Sequence, residues 1–258
     1  MDFETIIVER ENHIGIITLN RPEQLNTFTT TLAGELNQAL ADMDQDKEIR
    51  VVILKGNGRA FCAGIDVSVL PMKSILEYRQ WIRDMEKAFL TIANMVKPVI
   101  VAAHGVAAAN GAGLVAMADL AIIAEGTKIG TTAINVGLFC MGPAVPLSRS
   151  LGRKLCLEML LTGDFIDAEK AERIGLVNKV VPQDALMDEA ISLATKLTSK
   201  SPIALQMGKK AFYTMSDMEF EKALEYSDEM FAELCTTEDA IEGVNAFREK
   251  REPVWKLR

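Results

Sequence analysis

Apolar positions in the front half of the chain switch repeatedly between short β-branched runs and 3.6-residue stripes, the pattern of strands alternating with helices. Phe3–Glu9 and His13–Leu19 are rich in Ile and Val and are separated by the polar break Arg10–Asn12, which predicts a hairpin. Leu32, Leu36, Ala39, Leu40 and Met43 line one face of a helix over Thr30–Asp42, with Thr29 or Thr30 as its N-cap. Val51–Leu54 reads as a buried strand that ends in the turn-forming Gly56-Asn57-Gly58. A long amphipathic helix spans about Ser74 to Met95, and Pro98 introduces the strand Val99–Ala103. After the small, glycine-rich Gly105–Gly113 come the apolar Leu114–Met117 and the strand Leu120–Ala124. Such alternation implies right-handed crossovers and a largely parallel sheet.

Beyond Gly142 the period changes. Pro146–Leu161, Asp167–Ile174, Gln183–Leu197, Pro202–Met215, Met218–Cys235 and Glu238–Lys250 all read as helices, and Leu176–Val181 alone as a strand. No linker separates front from tail, so the prediction is one α/β domain over 1–258 with a core over about 1–195. The helical extension over 196–258 exceeds what one sheet face needs, which predicts that it packs on other subunits. There is no internal repeat and no low-complexity segment.

Composition narrows the classes. The chain has 258 residues, 49% hydrophobic and 25% charged, enough to bury a substantial core. A net charge of −8 without a Lys/Arg-rich run argues against nucleic acid as partner. Cys62, Cys140, Cys156 and Cys235 are widely spaced with no CxxC pair, so they read as reduced thiols of a cytoplasmic protein rather than a disulfide framework or zinc site. No cationic apolar leader and no apolar run of membrane-spanning length is visible.

Several motifs then recur in order. Asn20-Arg21-Pro22-Glu23-Gln24-Leu25-Asn26, Gly58-Arg59-Ala60-Phe61-Cys62-Ala63-Gly64-Ile65-Asp66, Lys97-Pro98-Val99-Ile100-Val101-Ala102-Ala103-His104-Gly105 and Ala118-Asp119-Leu120 are followed by Leu161-Thr162-Gly163, Gly175-Leu176-Val177 and Val180-Val181-Pro182. Together they resemble the crotonase (enoyl-CoA hydratase/isomerase) family from end to end. The resemblance implies the spiral fold of ββα units and an acyl-CoA thioester as substrate. It also implies a homotrimer or dimer of trimers, with coenzyme A arriving as part of the substrate and no further cofactor or metal.

A thioester carbonyl that takes on enolate character needs two convergent donors aimed in advance. The resemblance assigns these to the backbone N–H groups of Ile65 and Asn110, the second where the glycine-rich turn opens a helix. The family usually has Gly at the second position, and Asn is among the residues that tolerate unusual backbone regions. By the same resemblance Gln24, Leu25, Ala60, Ala63, Gly64 and Asp66 frame the coenzyme, and Phe247 and Lys250 reach it near the C-terminus, the lysine meeting phosphates from a neighbouring subunit. Their alternative readings are tight turns and a solvated helix end, with Asp66 capping a helix or pairing with a cation.

The chain departs from the family where hydratases carry two glutamates that share a water. Those positions are Gly113 and Ala133 here, and the turn Leu138-Phe139-Cys140-Met141-Gly142 holds no carboxylate either. The same departure is seen in the enoyl-CoA hydratase domain-containing subgroup, which shares Asn-Val-Gly-Leu-Phe-Cys. Substitutes are Asn135, to orient a water, and Cys140 or Cys62, as thiols activated at a helix N-terminus; against these stand a turn-forming amide and buried, inert thiols. His104 reads as structural, and Tyr78 and Trp81 as core or acyl-pocket lining. Loss of both glutamates predicts vacant room for a bulkier or less hydrated acyl chain. Three functions stay open: an acyl-CoA hydratase or isomerase with non-standard acid/base groups, a different acyl-CoA reaction such as hydrolysis or decarboxylation, and a non-catalytic acyl-CoA-binding protein.

Overall fold

The computed structural model describes residues 3–69 and 74–256. The hairpin forms from β1 (Ile6–Glu11) and β2 (Ile14–Leu19), paired antiparallel from Ile6↔Leu19 to Glu11↔Ile14. Its two-residue turn is Asn12-His13, both at positive φ (50° and 67°), the turn geometry that matches strand twist. Thr29 caps α1 (Thr30–Gln45) by accepting from the Leu32 N–H. After β3 (Val51–Gly56), Ser74 and Glu77 form a capping box that starts α2 (Ile75–Asn94). β4 (Val99–Ala103), β5 (Val106–Ala108), α3 (Asn110–Met117), β6 (Leu120–Ala124) and β7 (Lys128–Gly130) follow. The rest is α4 (Met141–Ser150), α5 (Arg153–Thr162), β8 (Phe165–Ile166), α6 (Ala168–Arg173), β9 (Lys179–Val181), α7 (Leu186–Thr198), α8 (Pro202–Met215), α9 (Phe220–Cys235) and α10 (Glu238–Glu249).

The main sheet runs β1-β2-β3-β4-β6-β9, parallel except for the hairpin, and β5-β7-β8 forms a smaller one. Alternate side chains of the main sheet enter two cores, as a two-residue period requires. Val52, Leu54, Val99, Val101, Ala103 and Ile123 meet α1, α2 and α3. Val51, Ile53, Ile100, Ala102 and Ile122 meet Leu186, Ala190 and Ala194 of α7. A buried ion pair docks the tail on this body. Asp119 accepts from the Val99 N–H, from Lys209 Nζ at 2.7 Å and from the Tyr213 hydroxyl at 3.0 Å. That gives the aspartate of the Ala118-Asp119-Leu120 motif a structural role.

Three expectations change. The single helix over Pro146–Leu161 is two, because Leu151 is extended (φ −122°, ψ 151°) and Gly152 restarts the chain as the N-cap of α5. Its start moves back to Met141, and Pro146 sits inside α4. The strand over Leu176–Val181 shrinks to β9, since Leu176 and Val177 follow a left-handed Gly175 and are buried in the main core. In the tail, α9 buries none of its residues, and Phe220 and Phe247 are 80% and 85% exposed. No helix among the described residues is long and apolar enough to cross a membrane.

Candidate active site

Residues 57–66 are laced to the protein on three sides. Asn26, fully buried, accepts from the Arg21 N–H at 2.8 Å and donates to the carbonyls of Asn57 and Ala60 at 2.9 and 2.8 Å. Leu25 and Asn26 are both left-handed (φ 52° and 55°), which turns the Leu25 carbonyl to the Ala63 N–H. On the other side the Phe61 N–H donates to His104, the Cys62 N–H to Val106, and the Cys62 carbonyl accepts from Ala108. Phe28 donates to the Gly64 carbonyl at 2.8 Å and accepts from the Asp66 N–H at 2.9 Å. In this parallel bridge the partner residues are the neighbours of Ile65. The Ile65 N–H therefore points to the opposite edge, and none of the described loop hydrogen bonds takes it up.

Asn110 is the first residue of α3, so its N–H has no acceptor within the helix. Its side chain turns inward, where Nδ2 donates to the Met85 carbonyl at 3.3 Å. The unusual backbone expected at Asn110 lies one residue earlier: Ala109 has φ 45° and ψ −109°, while Asn110 is helical. That strain turns the chain from β5 into α3, and the bonds from the Ala109 N–H to Gly130 and from the Gly113 N–H to Ala109 hold it.

Two glycines bring the loop and the helix start together. A side chain on Gly111 would strike the Cys62 carbonyl. Gly64, at φ +107°, would place a Cβ 3.1 Å from that of Ala109. The residues immediately before Ile65 and Asn110 thus lie so close that one added carbon would bring them into contact.

The vacant room expected at the two glutamate positions is absent at the first. A Cβ on Gly113 would lie 2.5 Å from Cζ of Phe89. The Phe89 ring, 8% exposed on α2, fills that space. Ala133 sits in a 3-10 turn over Thr132–Val136, and its carbonyl accepts from the Leu138 N–H at 3.0 Å. Burial pushes the Cys140 thiol upward despite its position as N-cap of α4, and pushes Cys62 up to about 12. Neither is the activated thiolate that a helix N-terminus alone would predict. Asn135 donates to the Gly163 carbonyl at 3.4 Å, a tether between the 3-10 turn and the end of α5.

Asp66 both pairs and caps locally. It accepts from the Ser68 hydroxyl and N–H and from Arg21 Nη2 at 3.2 Å, and these donors, Ser68 first, hold its carboxyl below the usual range. Trp81 is core, with Tyr78 packed edge-on at 6.3 Å between centroids. His104 Nε2–H donates to the Gly58 carbonyl, 2.7 Å away, as a structural residue.

Gln24, Leu25, Ala63, Gly64 and Asp66 come together around the loop, whereas Ala60 is 1% exposed with its carbonyl held by Asn26. Its small side chain therefore packs inward. Phe247 and Lys250 lie at the far end of α10, which packs on α8 and α9. No described hydrogen bond or ion pair joins them to the loop. A hollow of about 540 Å³ lined by Met218, Glu219, Lys222, Glu225, Tyr226 and Glu229 is a face of α9 and shares no residue with the loop.

One group escaped the sequence reading. Glu86, half-buried on α2, stands between Met85 and Phe89, and its carboxylate lies against the α-carbon of Gly142 in the first turn of α4. Burial raises its pKa. The sequence signal was there: Glu86 interrupts the apolar stripe Ile82, Met85, Phe89 at the four- and three-residue spacings of one helix face.

Over residues 9–258 the chain matches the family described as enoyl-CoA hydratase/isomerase. It is 35% identical to a probable enoyl-CoA hydratase of Rhizobium meliloti, with all of both chains covered. A crystal structure of enoyl-CoA hydratase from Mycobacterium smegmatis superposes with a TM-score of 0.94 at 37% identity, covering 98% of this chain and 99% of that one. Human enoyl-CoA hydratase domain-containing protein 3 superposes with a TM-score of 0.93 at 31% identity, over 98% and 100% of the two chains.

Proposed function

Because the chain belongs to the enoyl-CoA hydratase/isomerase family, we propose that it binds an acyl-CoA thioester with the carbonyl oxygen between the N–H groups of Ile65 and Asn110. The observation that carries this reading is the close approach of Gly64 to Ala109, together with the Phe28 bridge that leaves the Ile65 N–H unspent. Both donors belong to backbone fixed before substrate arrives, so they stabilise an enolate oxygen without reorganisation. The first turn of α3 adds its partial positive charge.

The reaction is an enolate-forming step on the acyl chain, a double-bond shift or a decarboxylation rather than two-carboxylate hydration. With Phe89 against Gly113, no side chain enters from that position to hold the water. Gln24, Leu25, Ala63, Gly64 and Asp66 frame the coenzyme in this reading. In this reading Phe247 and Lys250 serve a neighbouring subunit, since no described bond joins them to the loop of their own chain, and the apolar surface of residues 196–258 forms the contacts of a trimer or dimer of trimers.

Incubation with a panel of enoyl-, dienoyl- and malonyl-type CoA thioesters, read by mass, tests the assignment. Turnover of at least one is expected. Tight thioester binding with no turnover across the panel would favour the second reading, a non-catalytic acyl-CoA-binding protein, for which the closure of the Gly113 position by Phe89 speaks.

A further inference from the structure

An oxyanion hole alone polarises a thioester but moves no proton. Among the ionisable groups near it, Cys62 and Cys140 are protonated thiols, and Asp66 is held ionised by Ser68 and Arg21. Asp66 is thus the wrong carboxylate for a base, since its donors oppose protonation. Glu86 differs on each count. Among the described residues it has no hydrogen-bond or ion-pair partner, and its carboxylate is not sealed from water.

Its place is fixed by three contacts of α2. The Met85 carbonyl receives the Asn110 side chain, the Phe89 ring covers Gly113, and the Glu86 carboxylate itself touches Gly142. Glu86 and Phe89 are one turn apart on the same helix face. Glu86 is thus one turn from the ring that fills position 113, with its carboxylate against Gly142 at the start of α4. It offers a carboxylate from α2 where α3 offers none.

We infer that Glu86 is the proton-transferring carboxylate of this site, resting on the oxyanion-hole reading above. The carboxylate takes a proton from the carbon next to the thioester carbonyl. The C–H electron pair becomes the C=C of the enolate, and the carbonyl π pair moves to the oxygen held by Ile65 and Asn110. Return of the proton to the same carbon gives exchange; return to the γ-carbon of a 3-enoyl chain gives the 2-enoyl isomer. Both outcomes balance with one carboxyl group and no water, which fits a site that has lost its water-holding pair.

The surroundings support this. Desolvation moves the Glu86 carboxyl upward, toward the range where a base also returns its proton readily. Among the described residues, the flanking helices α3 and α4 bring no second charge to it: α3 has no ionisable side chain, and α4 has only Arg149 in its last turn, bonded to Asp217. The Cys140 thiol precedes α4, and Arg83, Asp84 and Lys87 on α2 are exposed.

The test is deuterium exchange at the α-carbon of butyryl-CoA in D2O, with thioester affinity measured separately for the assembled protein. Wild type is expected to exchange, faster as pH rises through a pKa above that of ordinary glutamate. Glu86→Gln should lower the rate about 100- to 10,000-fold with unchanged affinity, and exposed Asp84→Asn should leave it unchanged. Gly142→Ala, which drives a methyl into the carboxylate, should slow exchange without removing it. Exchange by Glu86→Gln within about threefold of wild type would overturn the assignment of Glu86 and leave the oxyanion hole standing. Failure of wild type to bind any thioester would overturn both.

Discussion

Replacing Gly113 by alanine adds one methyl group where the structure has the Phe89 ring. The new Cβ would stand 2.5 Å from Cζ and 3.1 and 3.2 Å from the two Cε atoms, whereas carbon atoms rest at about 3.5–4.0 Å. The ring must withdraw by about 1 Å, and it is packed in the main core. Overpacking of this size costs about 1–3 kcal/mol, while Gly→Ala within a helix returns up to about 1 kcal/mol. The net change is then between neutral and about 2 kcal/mol destabilising. Gly34 supplies the control, because it is an exposed position of α1 with nothing within 4 Å of a Cβ. Gly34→Ala should raise the thermal midpoint by about 2–4 °C, and Gly113→Ala should leave it unchanged or lower it by up to about 8 °C. Phe89→Leu should relieve part of the Gly113→Ala cost in a double-mutant cycle. Equal stabilisation by the two alanines would refute the claim that Phe89 occupies the vacated position. The functional corollary is that Glu at 113 and 133 restores hydration only where Phe89 is also made smaller.

Asp119→Asn leaves the Lys209 ammonium buried beside a neutral amide and should cost about 3–5 kcal/mol in urea denaturation; a loss below about 1 kcal/mol would mean that the pair does not anchor α8. A thiol reagent at neutral pH should label exposed Cys235 and spare Cys62, whose thiol is pushed up to about 12 by burial; fast labelling of Cys62 in the folded protein would contradict its burial. Asp66 titrates below its unfolded value, so its stabilising effect is full above the ordinary carboxylate pKa and is lost as pH falls through the lowered one. Asp66→Asn should therefore flatten the acid limb of the stability profile, and an unchanged limb would count against the Ser68 and Arg21 bonds.

Much of the fold was legible because its long elements carry strong periods. Thr29, Ser74 and Ser201 cap α1, α2 and α8 where apolar stripes begin. β5, β7 and β8 were not legible, being two or three residues long with pairing supplied by distant chain. Pro146 read as a helix start because proline favours first turns; it sits instead inside α4, where it removes the hydrogen bond to the Gly142 carbonyl, and the break comes at extended Leu151.

At the site, Ile65 and Asn110 could be located by motif because backbone donors depend on chain position rather than side chain. The filling of Gly113 could not, since Phe89 lies on a different helix and reaches it only through packing. Glu86 was hidden for the same reason, although its intrusion on an apolar stripe was visible.

The central claim is that the Ile65 and Asn110 N–H groups hold a thioester oxygen. Infrared difference spectroscopy of butyryl-CoA labelled with ¹³C at the thioester carbonyl measures that polarisation without requiring turnover. The bound carbonyl should absorb at lower frequency than in water, and Gly64→Ala, which strains φ +107° and crowds Ala109, should reduce the shift. A bound carbonyl absorbing at its solution frequency in wild type would contradict the account.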